Sequence, residues 1–144
     1  MEVRSKLKDL FDGVFIEDRG VLVVSGVSNL EGQSQTNDVF SDKWNKYSKE
    51  EEKNQERFFD FQKKWYLELY DFSSEDELRK YLEKQAVVID CGCGLGYKAK
   101  WFADLSPETL VIGMDYSDAA FVAAERYNGV QNLAFVFGDI ANTK

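Results

Sequence analysis

An apolar run that breaks into three evenly spaced glycines is the feature that most restricts how this chain can fold. Residues 87–97 read Val-Val-Ile-Asp-Cys-Gly-Cys-Gly-Leu-Gly-Tyr. The apolar part ends in Asp90, and glycine then occupies positions 92, 94 and 96. Glycine adopts left-handed backbone conformations readily and carries no Cβ that would keep a ligand at a distance. The segment therefore predicts a strand, a sharp turn and a ligand that approaches the backbone closely.

The spacing of these glycines separates two kinds of cofactor. A dinucleotide-binding turn has glycine at its first, third and sixth positions. Counted from Gly92, the sixth position is Tyr97, and the last glycine falls one position early, at Gly96. The spacing disfavours a nicotinamide-dependent oxidoreductase, which stays open as an alternative together with nucleotide binding and a purely structural turn.

Alternating strand and helix patterns surround the turn. Apolar strand patterns at 86–89, 110–114 and 133–137 alternate with helix patterns at 98–104 and 118–127. Strands that alternate with helices form parallel sheets, so the expected architecture is a right-handed, doubly wound, Rossmann-like α/β sheet. The continuous apolar run of the first strand predicts burial on both faces.

An N-terminal extension precedes this alternation. Residues 14–24 hold two apolar runs around Glu-Asp-Arg-Gly, which predicts a β-hairpin with its turn at Gly20. The polar stretch 25–38 is typical of a loop or linker. The expected division is therefore a hairpin and linker at 1–38 and a larger domain at 39–144.

A long helix is predicted over 49–70. Its aromatic and apolar side chains recur at intervals of three and four and include Phe58, Phe61 and Trp65. We interpret this stripe as core, with the lining of a substrate pocket or lid as the alternative. Two aromatic residues outside the stripe are better lid candidates, Trp44 and Tyr47.

A capping box predicts a second helix, because Ser74 is followed three residues later by Glu77. It carries Leu78, Tyr81 and Leu82 on one side. We expect the two helices to cover one edge of the sheet or the mouth of the ligand site.

Composition and charge restrict the class of protein. The 144 residues carry a formal charge of −8, with 26 acidic against 18 basic residues, which argues against nucleic acid as the main partner. No stretch approaches the roughly 20 apolar residues of a membrane span, and the first residues lack the pattern of a signal peptide. We therefore expect a cytoplasmic protein without a membrane or nucleic-acid partner.

The chain has no histidine and two cysteines, Cys91 and Cys93. Without histidine, histidine-based acid/base or triad catalysis is excluded, and a zinc site of the usual composition cannot be assembled. No metal site is expected. The two cysteines lie too close in sequence for an unstrained mutual disulfide, and we interpret them as small packing residues instead of redox groups.

Acidic residues follow each of the three predicted sheet strands, at Asp90, Asp115 and Asp139. Open α/β sheets bind ligands outside the carboxyl ends of their strands, so these carboxylates are expected to converge on one crevice. Each could instead be a helix cap or a solvated loop residue, and for Asp139 taken alone one of these two structural roles is preferred. Asp115 also fits the ribose of a dinucleotide and does not by itself distinguish the cofactors.

The glycine turn closely resembles the first motif of the class I S-adenosylmethionine-dependent methyltransferases. Its Asp-Cys-Gly-Cys-Gly sequence resembles in particular the ubiquinone and menaquinone biosynthesis group, and the resemblance covers about 85–140. It implies that Asp90 lies near the amino-acid end of S-adenosylmethionine, that Asp115 accepts hydrogen bonds from the ribose hydroxyls and that Asp139 faces the adenine amino group. The cofactor-binding residues that it implies are Asp90, Cys91, Gly92, Gly94, Gly96, Asp115, Tyr116, Asp139 and Ile140.

The resemblance implies methyl transfer to a small-molecule acceptor that the sequence does not identify. The sulfonium already activates the methyl group, so the reaction needs mainly alignment of the acceptor, and no catalytic residue is assigned. The family's sheet normally has seven strands, of which this chain supplies three. We therefore expect a sheet that is incomplete at its C-terminal side, with weak stability as a monomer or self-association through the exposed edge. The alternative function is a non-catalytic module that binds the cofactor or a nucleotide and acts with a partner chain.

Overall fold

The computed structural model describes residues 2–25, 38–39 and 49–142. In chain order the elements are helix α1 (Glu2–Leu10), strands β1 (Val14–Asp18) and β2 (Val21–Ser25), helices α2 (Lys49–Leu69) and α3 (Glu75–Leu82), strand β3 (Val87–Cys91), helix α4 (Tyr97–Leu105), strand β4 (Leu110–Asp115), helix α5 (Ala119–Arg126), strand β5 (Leu133–Phe137) and a 3₁₀ turn (Ile140–Asn142). Most of the predicted linker and both lid candidates, Trp44 and Tyr47, lie outside the described residues.

The five strands form one mixed sheet in the order β1-β2-β5-β4-β3. Strands β3, β4 and β5 are parallel, β2 joins β5 in parallel, and β1 pairs with β2 in antiparallel. The chain is therefore an α/β protein with a mostly parallel sheet, consistent with a Rossmann-like fold. This confirms the predicted fold class at that level.

Burial along the sheet follows the position of each strand. In β4, which lies between two parallel neighbours, all residues from Leu110 to Met114 are buried. The residues of β3 from Val87 to Ile89 are only half-buried, so the prediction of burial on both faces was wrong. The reason is that β3 pairs with β4 alone among the described strands and lies at the edge of the sheet.

Two apolar clusters cover opposite faces of the sheet, because side chains alternate along a strand. One cluster contains Val111 and Phe135 and includes residues of α3, α4 and α5. The other contains Ile112 and Val136 and includes Leu7 of α1. Among the described helices, α4 and α5 thus share one face. A doubly wound sheet also has connecting helices on its other face, and this part of the predicted architecture stays a prediction.

The predicted hairpin is confirmed, and it belongs to the sheet. Arg19 and Gly20 form its two-residue turn with φ angles of 48° and 78°, the left-handed values that such turns require. In β2, Leu22 lies opposite Val136 of β5. A Cβ on Gly138 would lie 3.1 Å from the side chain of Val24 on β2, so this glycine allows the close approach of β2. The predicted domain boundary between residues 38 and 39 stays a prediction.

The capping box of α3 is confirmed in part. The Ser74 hydroxyl accepts a hydrogen bond from the Glu77 amide at 3.3 Å. The Glu77 carboxylate reaches the backbone amide and hydroxyl of Ser73, not the Ser74 amide. Leu78 is buried beneath the helix, whereas Tyr81 is largely exposed.

Helix α2 is confirmed, but the assignment of its stripe to the core was wrong. Phe58, Phe61 and Trp65 are 59%, 70% and 56% exposed. The helix packs instead through neighbouring positions, with Phe59 and Tyr66 both edge-on to the ring of Trp101. None of the described helices, α2 included, combines the length and apolar character needed to cross a bilayer.

Candidate ligand site at the glycine turn

The turn between β3 and α4 is built from left-handed glycines, as the sequence predicts. The φ angles of Gly92, Gly94 and Gly96 are 71°, 54° and 79°, values that a side chain rarely tolerates. The amides of Gly92 and Cys93 both donate to the carbonyl oxygen of Met114, at 2.8 and 2.9 Å. The turn is therefore fixed to the end of the neighbouring strand β4.

The glycines have different roles. A Cβ on Gly96 would lie 2.8 Å from the ring of Phe135 and 3.0 Å from the Cβ of Ala123, so Gly96 is needed for packing beneath α4. A Cβ on Gly92 would meet nothing within 4 Å. Gly92 therefore faces open space where a ligand could approach, whereas Gly96 contacts the core.

Asp115 at the end of β4 binds the turn directly. Its Oδ2 accepts a hydrogen bond from the Gly94 amide at 2.8 Å, and its Oδ1 accepts one from the Ser117 hydroxyl at 2.6 Å. These contacts give Asp115 a structural role without a ligand. A carboxylate has about four lone-pair positions, so Asp115 can still accept hydrogen bonds from a bound ligand.

Asp90 at the end of β3 is a buried carboxylate with one charged partner. Its side chain is 2% exposed, and its Oδ1 lies 2.8 Å from the Lys98 ammonium. Its Oδ2 makes no hydrogen bond to any described residue. Burial raises the pKa of Asp90 above its ordinary value, and the charge of Lys98 opposes that rise.

Asp139, after β5, serves as a cap with one of its two oxygens. Its Oδ1 accepts a hydrogen bond from the Ala141 amide at 2.9 Å, at the start of the 3₁₀ turn. Its Oδ2 is buried and has no hydrogen-bond partner among the described residues. The neighbouring Gly138 amide donates to the Asp115 carbonyl oxygen at 3.1 Å, so the ends of β4 and β5 are adjacent.

A cavity of about 430 Å³ lies between the glycine turn and α2, within the size range of small-ligand sites. The turn contributes Asp90, Gly92, Cys93 and Gly94, together with Leu95, Tyr97, Lys98 and Trp101 from the following segment. Helix α2 contributes Gln55, Phe58, Phe59, Gln62, Lys63, Trp65 and Tyr66. Of the two expected positions for the N-terminal helices, α2 therefore takes the mouth of the site.

The other residues implied by the resemblance do not line this cavity. Asp115 is one hydrogen bond away from it, through Gly94. Asp139 lies at the end of the next strand, with Ile140 exposed beside it. Cys91 is exposed at the end of β3, and the ring of Tyr116 packs 5.5 Å from that of Phe137.

A larger and more polar depression, of about 820 Å³, lies between the hairpin turn and α5. Its wall includes Arg19, Phe121 and Asn128 and none of the predicted site residues. We regard the smaller cavity as the site, because its wall contains the buried carboxylate of Asp90 and also Gly92, where a Cβ would meet nothing within 4 Å. The choice between the two cavities depends on these residues and not on volume.

Lys98 lines the cavity but was not predicted as a site residue. It is the second residue of α4, near a helix N-terminus, where a positive charge is unfavourable unless a carboxylate lies nearby. A lysine at that position, eight residues after Asp90, was a usable signal. Tyr66, which also lines the cavity, belongs to the aromatic residues of α2 for which the lining of a pocket or lid was the alternative to core.

The thiols and phenols near the cavity are poor nucleophiles and bases at neutral pH. Burial raises the pKa of Cys93 well above its ordinary value, which agrees with its interpretation as a packing residue. The pKa of Cys91 is also raised, but its side chain is exposed, so its interpretation as a packing residue was wrong. Burial likewise raises the pKa of Tyr66, and it raises the pKa of Tyr97 to about 12. Both phenols stay protonated at neutral pH, which disfavours either as a general base.

The comparisons with known proteins do not assign the chain to a family. No protein-family model matches it, and no curated protein is significantly similar to it. Within the described residues, no group of three or more His, Cys, Asp or Glu side chains could hold a metal ion. What the chain binds must therefore be inferred from the glycine turn, its carboxylates and the cavity.

Proposed function

We propose that this chain binds S-adenosylmethionine at the glycine turn and carries the cofactor-binding part of a class I methyltransferase that acts on a small-molecule acceptor. The observation that carries the proposal is the hydrogen bond between Asp115 and the Gly94 amide, 2.8 Å long. It joins the open glycines after β3 to the carboxylate after β4. A ribose bound over the turn would find acceptors at that junction.

The three carboxylates match the donors of the proposed cofactor. An amino-acid ammonium requires an anion, and Asp90 offers one on the cavity wall with an unpartnered Oδ2. The ribose hydroxyls are donors, and Asp115 retains free lone pairs for them. The buried Oδ2 of Asp139 has no partner among the described residues and suits the adenine amino group.

The reaction requires little acid or base chemistry from the protein. When bound, S-adenosylmethionine supplies an activated methyl group. The turn and its carboxylates hold and orient the ligand, and the rings of Phe58 and Trp65 on α2 supply apolar surface on the opposite side of the cavity. No residue is assigned as a catalytic base.

Calorimetric titration tests the proposal. We expect the wild-type protein to bind S-adenosylhomocysteine and not a nicotinamide dinucleotide. Asp104→Ala, which removes an exposed carboxylate paired with Lys100, is the matched control for the carboxylates of the site and should bind like the wild type. Binding of the dinucleotide without binding of the thioether would contradict the proposal.

A second candidate function is a non-catalytic cofactor- or nucleotide-binding module that works with another chain, including a second copy of itself. The edge position of β3 favours it, because unpaired strand edges add further strands readily. Sedimentation velocity over a range of concentrations is the test. A monomer at every concentration, with a single sharp unfolding transition at high temperature, would argue against it, whereas transfer of a labelled methyl group would favour the enzyme.

A further inference from the structure

We propose that Lys98 is a positioning residue that keeps the buried Asp90 carboxylate anionic and holds its Oδ1, leaving Oδ2 to accept the ammonium group of the ligand. The inference rests on the proposed function, since the ammonium belongs to the amino-acid end of the cofactor. Nothing in the glycine motif itself requires a lysine at this position. The role is therefore assigned from the contacts of this chain.

The first support is the geometry of the ion pair. Lys98 approaches from α4 and places its ammonium 2.8 Å from Oδ1 of Asp90, and its own side chain is 38% exposed. The carboxylate is almost fully enclosed, whereas the lysine still reaches water. Both residues lie on the wall of the 430 Å³ cavity.

The second support is the unsatisfied oxygen. Oδ2 of Asp90 is buried without a hydrogen-bond partner among the described residues. A buried unpaired acceptor is unfavourable, and a charged one more so. Asp90 lines the cavity, and an ammonium that reaches Oδ2 from there would remove that penalty.

The third support is the balance of charges around Asp90. Burial favours its neutral form, and Asp115 adds repulsion from β4, whereas Lys98 is the nearest positive group. Tyr66 faces it from α2, and the turn adds two thiols, Cys91 and Cys93. Lys63 of α2 also lines the cavity. Without Lys98 the carboxylate would take up a proton more readily and lose its attraction for an ammonium.

A lysine at this position is otherwise unfavourable. It lies in the first turn of α4, where the helix dipole repels positive charge. Its ammonium is also 6.0 Å from the ring centre of Tyr66, at the limit of a cation–π contact. The nearby carboxylate compensates for the dipole, which is consistent with a role in the site instead of a role in helix stability.

The direct test is the titration of the Asp90 carboxyl carbon by NMR in the wild type, Lys98→Met and Lys98→Arg. Methionine retains most of the apolar stem of a side chain that is partly exposed, so we expect Lys98→Met to fold. The titration midpoint of Asp90 should rise in Lys98→Met and return close to the wild-type value in Lys98→Arg. Lys100→Met, on the same helix but paired with Asp104, is the matched control and should leave it unchanged.

The binding test uses two adenosyl ligands. S-adenosylhomocysteine carries the ammonium, and 5′-methylthioadenosine lacks it. In Lys98→Met we expect affinity for the first to fall about tenfold for each unit by which the pKa of Asp90 exceeds the working pH, and to recover as the pH is raised. Affinity for the second should match that of the wild type.

The outcomes separate the two proposals. If the wild type binds neither adenosyl ligand, the proposed function fails, and the NMR titration still decides whether Lys98 keeps Asp90 ionised. An Asp90 midpoint that is the same in Lys98→Met overturns the inference, even if the cofactor binds. Tighter binding of S-adenosylhomocysteine by Lys98→Met at every pH also overturns it, because Lys98 would then compete with the ligand.

Discussion

The two walls of the cavity are built differently. The turn wall is fixed by backbone hydrogen bonds, left-handed glycines and a carboxylate that binds the turn, so its atoms have few alternative positions. The α2 wall combines four aromatic rings, of which Phe58 and Trp65 are more than half exposed, with the polar side chains of Gln55, Gln62 and Lys63. Anchoring a ligand requires fixed polar groups, whereas covering it requires apolar area. The difference suggests that the turn sets which ligand binds and α2 sets how well it is covered.

The largest expected effect is on the turn wall. Gly96→Val places a side chain at φ 79° and against Phe135, and left-handed strain and overpacking together should lower the free energy of unfolding by about 3 kcal/mol or more. Gly92→Ala has a similar φ but open space, so it should lose about 1 kcal/mol. Urea unfolding measures both. Equal losses would mean that Gly96 is required for the turn alone and not for packing.

The next effect is on ligand binding at the same wall. Asp115→Ala removes charge-assisted acceptors and should weaken binding of S-adenosylhomocysteine by about 2 to 3 kcal/mol. Gly94→Val should abolish binding through bulk at the turn. Calorimetry measures both. If neither substitution changed affinity, the turn wall would not be the anchoring wall.

A smaller effect concerns pH. The pKa of Asp90 is raised in the folded protein, so its contribution to stability is fully present below the unfolded pKa and is lost as the pH rises through the folded pKa. Asp90→Asn removes this dependence. Relative to the wild type, the free energy of unfolding of Asp90→Asn should therefore increase as the pH rises from below the unfolded pKa of Asp90 to above its folded pKa.

Urea unfolding at several pH values measures this gain. Asp104→Asn, which removes an exposed carboxylate paired with Lys100, is the control for the loss of an ion-paired carboxylate outside the cavity. A constant difference between Asp90→Asn and the wild type would contradict the effect of burial. Asp90→Asn should also weaken cofactor binding, since it removes the anion.

The smallest expected effect is on the α2 wall. Trp65→Ala removes a ring that is 56% exposed, so the free energy of unfolding should change by no more than about 0.5 kcal/mol. It lines the cavity and should still weaken ligand binding, by less than Asp115→Ala does. Phe61→Ala, whose ring is 70% exposed and not part of the cavity wall, should change neither quantity. A large loss of stability in Trp65→Ala would mean that the α2 wall, like the turn wall, is required for folding, which would contradict the difference between the two walls.

Local chemistry made much of the fold predictable. The hairpin turn at Gly20, the strand at 133–137 and the start of α3 at Ser74 each depend on residues close in sequence, and the structure has all three. The exposure of Phe58 and Trp65 could not be predicted from the residues close to them in sequence. The same stripe of rings fits a core or a cavity wall, and only the packing of α2 against Trp101 decides which.

Only part of the candidate site could likewise be predicted from the sequence. Glycine spacing located the turn, and strand ends located Asp90 and Asp115. The Lys98 contact depends on where a helix points its side chain, and the partnerless oxygens depend on what surrounds them. The surroundings of these oxygens are set by segments distant in sequence, so no short segment encodes them.

The pairing of β2 with β5 has a consequence for the order of folding. Leu22 pairs with Val136, although about 110 residues of chain separate them. Closing so long a loop for parallel pairing is slow. During synthesis the hairpin is made before β5, so β2 lacks this parallel partner until β5 has been made. We expect β2 to be among the last elements to gain protection from hydrogen exchange during refolding, after the strands that carry the turn.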